Sequence, residues 1–357
     1  MRFDYQRLMH KLAKSVAKIE RQIAPRFPLY RLIDSPSWVT SSRGSWVAGF
    51  WAGNCWLAGY FSNHPTLISS AKSRWTQIQA EKHVQSVFRA MNAWYGFGPA
   101  LRLVNDTQAG ELIFQFQEKL SLTFAPWQGF PVGTEMGGGK HGNNRLSIDP
   151  CAALIELGVH HNWQEMSQAH ARLTACQLIH PTGRVYTYSD FYPYPSEGSE
   201  KWQSVGEAGS WPRGQSWGML GMACAALYNP ETFLHVAELS CGVWWQCYAN
   251  HSSDVLKPEP CVRSVADPSA ILISAVAFFK LNEACGGDSV WQERGTVLLH
   301  QVLTHPSFIE EDEIIRFVGC RYTTSLEKHQ LTEMPYGYFF LYQALLVASG
   351  TIKARVF

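Results

Sequence analysis

Apolar positions recur at helical spacing from one end of the chain to the other, and no Val/Ile-rich run of strand length separates one helical stretch from the next. Two kinds of helix are predicted. Six segments, roughly 46–61, 88–104, 148–160, 213–228, 267–282 and 336–349, are so dense in small and aromatic residues that no polar stripe remains, as in WVAGFWAGNCWLAGYF from Trp46. They read as buried. Six others, roughly 3–23, 66–82, 107–120, 163–177, 230–249 and 288–304, keep a charged face for water. This alternation predicts an all-α (α/α)6 barrel, an inner ring of six helices wrapped by an outer six. An irregular helical bundle is the alternative. Without a Ser/Pro-rich linker or charge block to divide it, the chain reads as one domain over residues 1–357. Small residues at Ala48, Gly49, Ala52 and Gly53, and at Gly214, Gly218 and Gly221, permit close helix approach. Each interior Gly costs about 1 kcal/mol of helix propensity, which packing must offset.

The stretch 182–192, TGRVYTYSDFY, alternates as a strand does and predicts a hairpin on one rim. Two long loops, 126–147 and 193–212, precede inner helices and are placed to line one mouth of the barrel.

Composition narrows the function. Thirty Lys+Arg balance 29 Asp+Glu for a net charge of +1, which leaves no field to gather nucleic acid or a membrane surface. With 46% hydrophobic and 17% charged residues the chain can fill a large core. Fourteen Trp, 14 Tyr and 19 Phe are more than a core requires, and flat aromatic faces suit sugar rings. Nine cysteines show no CxxC pair or zinc spacing, so neither a disulfide framework nor a metal is expected. The first twenty residues read as an amphipathic helix rather than a secretory signal, and a cytoplasmic location is expected. The GGGK at Gly137–Lys140 lacks the Walker spacing, so no nucleotide or other cofactor is called for.

Asp149 precedes Pro150 at a predicted helix start. A capping carboxylate is the plain reading, whereas a catalytic one must be partly desolvated and face a pocket. In Ser210-Trp211-Pro212-Arg213-Gly214-Gln215-Ser216-Trp217-Gly218, Arg213 and Trp217 are one helical turn apart, as are Trp46 and Phe50. Such pairs either fill a core or grip a sugar acid.

The run Trp46-Val47-Ala48-Gly49-Phe50-Trp51-Ala52-Gly53, followed by Trp56-Leu57-Ala58, resembles the W-x-x-G-F-W/F-x-G-x-x-W-L signature of the unsaturated glucuronyl hydrolases, glycoside hydrolase family 88. The segment Ser210–Gly218 is similar to that family's W-A-R-G-Q-A-W-G, Ile148-Asp149 to its I-D-x-x-M-N, Ala266–Ala270 to its R-D-S/T-S-A-A, and Tyr338-Phe339-Phe340-Leu341 to its aromatic run near the end. Their order agrees over about residues 25–348.

The resemblance implies an (α/α)6 barrel that removes a Δ4,5-unsaturated uronic acid from the non-reducing end of lyase-derived oligosaccharides. The reaction is hydration of a vinyl ether, in which one carboxylate first gives a proton to C4 and then takes one from the water adding at C5. Asp149 matches that carboxylate. Gln203, Arg213, Trp217, Trp46 and Phe50 match residues that line the sugar subsite, and Trp94, Trp211, Gln215 and Tyr338 are further candidate substrate-binding residues. The sequence departs from the family at the second inner helix, where a His-Asp pair precedes Gly-Phe. Here the run is Ala93-Trp94-Tyr95-Gly96-Phe97. Ala153 and Tyr186 stand where the family has Asn and His. Glu207, Glu333 and Asp190 are candidate replacements for the missing carboxylate, Glu207 foremost, and His141 is a candidate sugar contact. Two other readings remain open: a different sugar-converting reaction on the same barrel, or a catalytically silent sugar-binding protein.

Overall fold

The computed structural model describes residues 3–160, 163–194, 201–249, 267–322 and 331–357. Residues 195–200 of the second long loop and Ala266 lie outside them. In chain order the helices are α1 (Tyr5–Ile23), α2 (Ala48–Phe61), α3 (Pro65–Ala80), α4 (Arg89–Val104), α5 (Thr107–Ser121), α6 (Cys151–Leu157), α7 (Gln164–Leu178), α8 (Pro212–Tyr228), α9 (Pro230–Ala249), α10 (Pro268–Ala284), α11 (Val290–Thr304) and α12 (Pro335–Ala348). The strands are β1 (Phe27–Leu32), β2 (Val39–Ser41), β3 (Arg145–Ser147), β4 (Tyr188–Phe191), β5 (Trp202–Val205), β6 (Phe308–Glu310), β7 (Ile315–Phe317) and β8 (Thr332–Glu333).

The even-numbered helices close a ring, each packing on the next from α2 through α12 and back to α2. The odd-numbered helices lie outside, and each packs on the inner helix that neighbours it in the chain. This is the (α/α)6 barrel. Its two kinds of helix differ as their sequences do: α10 is buried along nearly its whole length, whereas α1 buries one face, which includes Leu8, Leu12, Val16 and Ile19, and leaves the opposite face to solvent. Among the described residues no helix is long and apolar enough to cross a membrane. Among the described residues seven cysteines are free thiols, and Cys247 is disulfide-bonded.

Glycine sets the spacing of α2 and α4. A Cβ on Gly49 would lie 2.5 Å from both the Cα and the carbonyl oxygen of Asn92. The Asn92 side chain stitches the same junction, accepting the Gly49 N–H at 3.0 Å and donating to the Ser45 carbonyl at 2.9 Å. Gly49→Ala therefore sets two opposed effects against each other. Helix propensity favours Ala by about 1 kcal/mol, but overpacking against backbone costs about 1–3 kcal/mol. Because backbone cannot swing aside as a side chain does, net destabilisation is expected in urea unfolding. A gain in stability would show that the two helices are free to separate.

Two local features differ from the sequence expectation. The inner helix predicted over 148–160 is only one to two turns long, because it begins after Pro150 and closes at Gly158. The 182–192 stretch does not fold on itself as a hairpin. Gly183, at φ +84°, turns the chain, and only Tyr188–Phe191 forms a strand, the middle one of a three-stranded antiparallel sheet ordered β3-β4-β5. Its partners come from the two long loops, so the sheet joins them on one rim.

Candidate active site

Four inner helices open on a proline: Pro150, Pro212, Pro268 and Pro335. Proline is tolerated there because the first N–H groups of a helix have no partner in the helix. The residues beside these prolines meet at one mouth of the barrel. Arg213, one residue into α8, is buried, and its Nη1 donates to Asp267 Oδ2 at 2.7 Å, to the Tyr336 hydroxyl at 3.0 Å and to the Arg321 carbonyl at 3.2 Å. Its guanidinium sits 5.1 Å from the ring centre of Trp211 and 5.3 Å from that of Tyr336. Asp267 Oδ1 accepts a hydrogen bond from Ser269. Burial opposes the charge on Arg213, but Tyr336, Asp267 and Asp149 together outweigh it and hold its pKa above the ordinary value.

Asp149 lies beside this cation but is not tied to it by a hydrogen bond. The residue is half-buried, while its Oδ1 is shut away from solvent and has no hydrogen-bond partner among the described residues. It does not cap α6, whose cap position is Pro150 and which receives no side-chain hydrogen bond. The capping reading is thus excluded. Burial raises the carboxyl pKa from 3.8 to about 7, and Arg213 and the Asp149 backbone N–H limit the rise. A carboxyl of that pKa exists in both protonation states near neutrality, which suits a group that must first give and then take a proton.

The same shift has a cost in stability. The folded pKa lies above the unfolded value, so the folded state holds the extra proton between about pH 4 and 7. Stability linked to that proton is complete below pH 4 and is lost as pH rises through 7. Asp149→Asn should therefore leave stability unchanged near pH 4 and raise it above pH 7, by at most about 4 kcal/mol at 1.36 kcal/mol per pKa unit. Urea melts at pH 4.5 and 8 measure the difference. An equal effect at both pH values would mean that Asp149 ionises normally in the fold.

The aromatic residues form a column leading down from the mouth. Trp46, half-buried, lies 5.6 Å from Tyr336 and 6.1 Å from Phe50. Phe50 is fully buried and stacks on Tyr95 at 4.3 Å, and Trp217 closes the column against Phe340 at 5.4 Å. Trp46, Trp211 and Arg213 are therefore at the mouth, whereas Phe50 and Trp217 form its floor.

Four residues suggested by the sequence stand apart from this cluster. Trp94 points its ring at His160, 6.2 Å away, and at the Arg102 guanidinium, 6.0 Å away, and Tyr95 is the α4 residue that joins the aromatic column. Tyr338 is turned to the other side of α12, where its hydroxyl donates to Glu333; at 100° per residue, Tyr336 occupies the inward position. Gln215 holds the 183–185 turn, accepting the Val185 N–H at 2.9 Å and donating to the Gly183 carbonyl at 3.0 Å. Gln203 is exposed on β5, opposite Asp190, on the sheet face that carries Tyr188.

The candidate replacements for the missing carboxylate are engaged or exposed. Glu333 is clamped by Arg31 and Arg316 at 2.8 and 2.9 Å, Asp190 by Arg145 at 2.6 Å, Glu207 is exposed on a loop, and His141 is exposed on a short 3-10 helix, Gly139–Asn144. Asp267, Ser269, Tyr336 and Tyr188 had no assigned part in the sequence reading. The recurring proline at inner-helix starts was the signal for the first three. Among the described residues no group of three His, Cys, Asp or Glu is placed to hold a metal ion. A surface groove of about 660 Å³ along α1, lined by His10, Lys14, Lys18 and Arg21 among others, shares no residue with the cluster.

The sequence matches no protein-family profile and no curated protein. Solved structures do match over nearly the whole chain. An unsaturated glucuronyl hydrolase from Bacillus sp. GL1, described as responsible for glycosaminoglycan degradation, superposes with TM-score 0.82 at 16% identity, covering 98% of both chains. One specific for heparin gives 0.78 at 17% identity over 98% of this chain and 99% of that one. A possible GH105 member from Salmonella enterica gives 0.66 at 12% identity over 99% and 97%. The chain has the fold of the unsaturated glucuronyl hydrolases. The resemblance carried by the Trp46 and Arg213 motifs thus extends to the whole barrel.

Proposed function

We propose that this barrel removes a Δ4,5-unsaturated uronic acid from the end of an oligosaccharide, with Asp149 as the single acid and base. The observation that carries the reading is the Asp149 carboxyl itself, desolvated, unpartnered on Oδ1 and raised to a pKa of about 7 beside Arg213. In its protonated form it gives its hydrogen to C4 of the vinyl ether. The resulting carboxylate takes a proton from the water that adds at C5, and the hemiketal so formed opens with loss of the glycosidic bond. Arg213 stands where it offsets the uronate charge, and Trp46 and Trp211 offer flat faces to the ring. Support for the substrate class comes from the solved structures of the same fold, one of which is described as UGL with dGlcA-Glc-Rha-Glc and has a TM-score of 0.82 at 16% identity.

The test is loss of the double-bond ultraviolet absorbance when the purified protein is mixed with unsaturated uronyl disaccharides. Steady absorbance with tight binding would favour the silent sugar-binding reading, for which the uncharged Trp94 is the motivating residue. A product of unchanged mass would favour isomerisation.

A further inference from the structure

Strand β4 brings Tyr188 to the turn that carries Asp149. Tyr188 stands opposite Ser147 in the β3-β4 register, and Ser147 Oγ accepts the Asp149 backbone N–H at 3.4 Å. The tyrosine and the carboxyl thus flank one turn. Alternate residues of a strand share a face, so Tyr188 lies on the same side of the sheet as Arg145, Asp190 and Ser147.

The ring is held from above. The Arg145 guanidinium lies 5.0 Å from its centre and is itself fixed by two hydrogen bonds to Asp190, at 2.6 and 2.8 Å. Tyr188 is half-buried, and Asp149 Oδ1 is buried without a hydrogen-bond partner among the described residues. A buried carboxyl oxygen without a partner is costly unless a ligand completes it, and the braced Tyr188 ring flanks the turn that carries it.

We propose that Tyr188 holds the substrate against Asp149, its phenol donating a hydrogen bond to an oxygen of the bound uronide. This assignment rests on the uronide reading of the site. The phenol supplies the second polar contact that a carboxylate on α4 does not provide here, and it does so without negative charge. Burial, and after it the Asp149 carboxylate, push the Tyr188 pKa up to about 12, with Arg145 and Arg213 opposing. Tyr188 is therefore a neutral donor wherever the enzyme works, and proton transfer stays with Asp149.

Tyr188→Phe, Arg145→Met and a control, Tyr60→Phe at the far end of α2, test the assignment with an unsaturated uronyl disaccharide in calorimetric binding and in the absorbance assay. Tyr188→Phe is expected to keep the parental melting temperature and to weaken Kd and raise KM about tenfold or more, the worth of a hydrogen bond to a charged group. The pH profile set by Asp149 should keep its midpoint, since a neutral phenol is removed. Arg145→Met should weaken binding in the same direction by freeing the ring, and Tyr60→Phe should change nothing. Parental Kd and KM in Tyr188→Phe overturn the proposal even if the wild type is active. Binding that weakens in Tyr188→Phe without any turnover by the wild type upholds it and overturns the hydrolase reading instead. No binding by the wild type overturns both. Should Tyr188→Phe fail to fold, Arg145→Met decides, and a parental Kd there overturns the proposal.

Discussion

Asp149→Asn is expected to lower kcat for an unsaturated uronyl disaccharide by about 10²–10⁴-fold, the usual contribution of a positioned acid–base group. The amide keeps the shape of the side chain and its place beside Arg213, so KM should change little. The wild-type rate should itself fall as pH rises through about 7, where the carboxyl loses the proton it must deliver. Both quantities come from the decay of double-bond absorbance across pH 5–9. A variant that retains the parental rate would move the chemistry to another residue and end the mechanism proposed for this barrel.

Arg213→Met should have the largest effect on stability. Methionine approximates the length of the side chain but leaves Asp267 buried with only Ser269 as a described partner. Removing one member of a buried ion pair costs about 3–5 kcal/mol, most of it the desolvation of the charge left behind. Urea unfolding measures the loss, and Arg213→Met/Asp267→Asn should recover part of it because no bare charge then remains. If the double variant is no more stable than the single one, the pair is not the source of the cost. A second consequence is chemical: Arg213 holds the Asp149 pKa down, so the residual activity of Arg213→Met should extend to higher pH.

The fold was legible because it follows from burial averaged over whole helices. The segment beginning at Trp46 has no polar stripe, so it has to be surrounded on all sides, and α2 is. The segment over 3–23 has such a stripe, and α1 lies on the outside. Where one residue decides the outcome, periodicity does not discriminate. Tyr336 and Tyr338 belong to the same aromatic run, yet they leave α12 on different sides and only the first reaches Arg213. Gln215 sits within the most family-like motif of the chain and serves a turn instead.

The chain alone therefore determined that twelve helices would form, which six would be enclosed, and that an aspartate next to a proline and an arginine next to a tryptophan were the residues to watch. Hydrophobic periodicity and helix-start chemistry are local, and local properties can be read along one dimension. Only the tertiary structure decided that Asp149 caps nothing, that Asp267 and Tyr336 are the partners of Arg213, and that Tyr188 stands opposite Ser147, two residues before Asp149. Those facts depend on segments as far as 54 and 123 residues apart meeting at one mouth, and on the solvent that their meeting excludes from the Asp149 carboxyl.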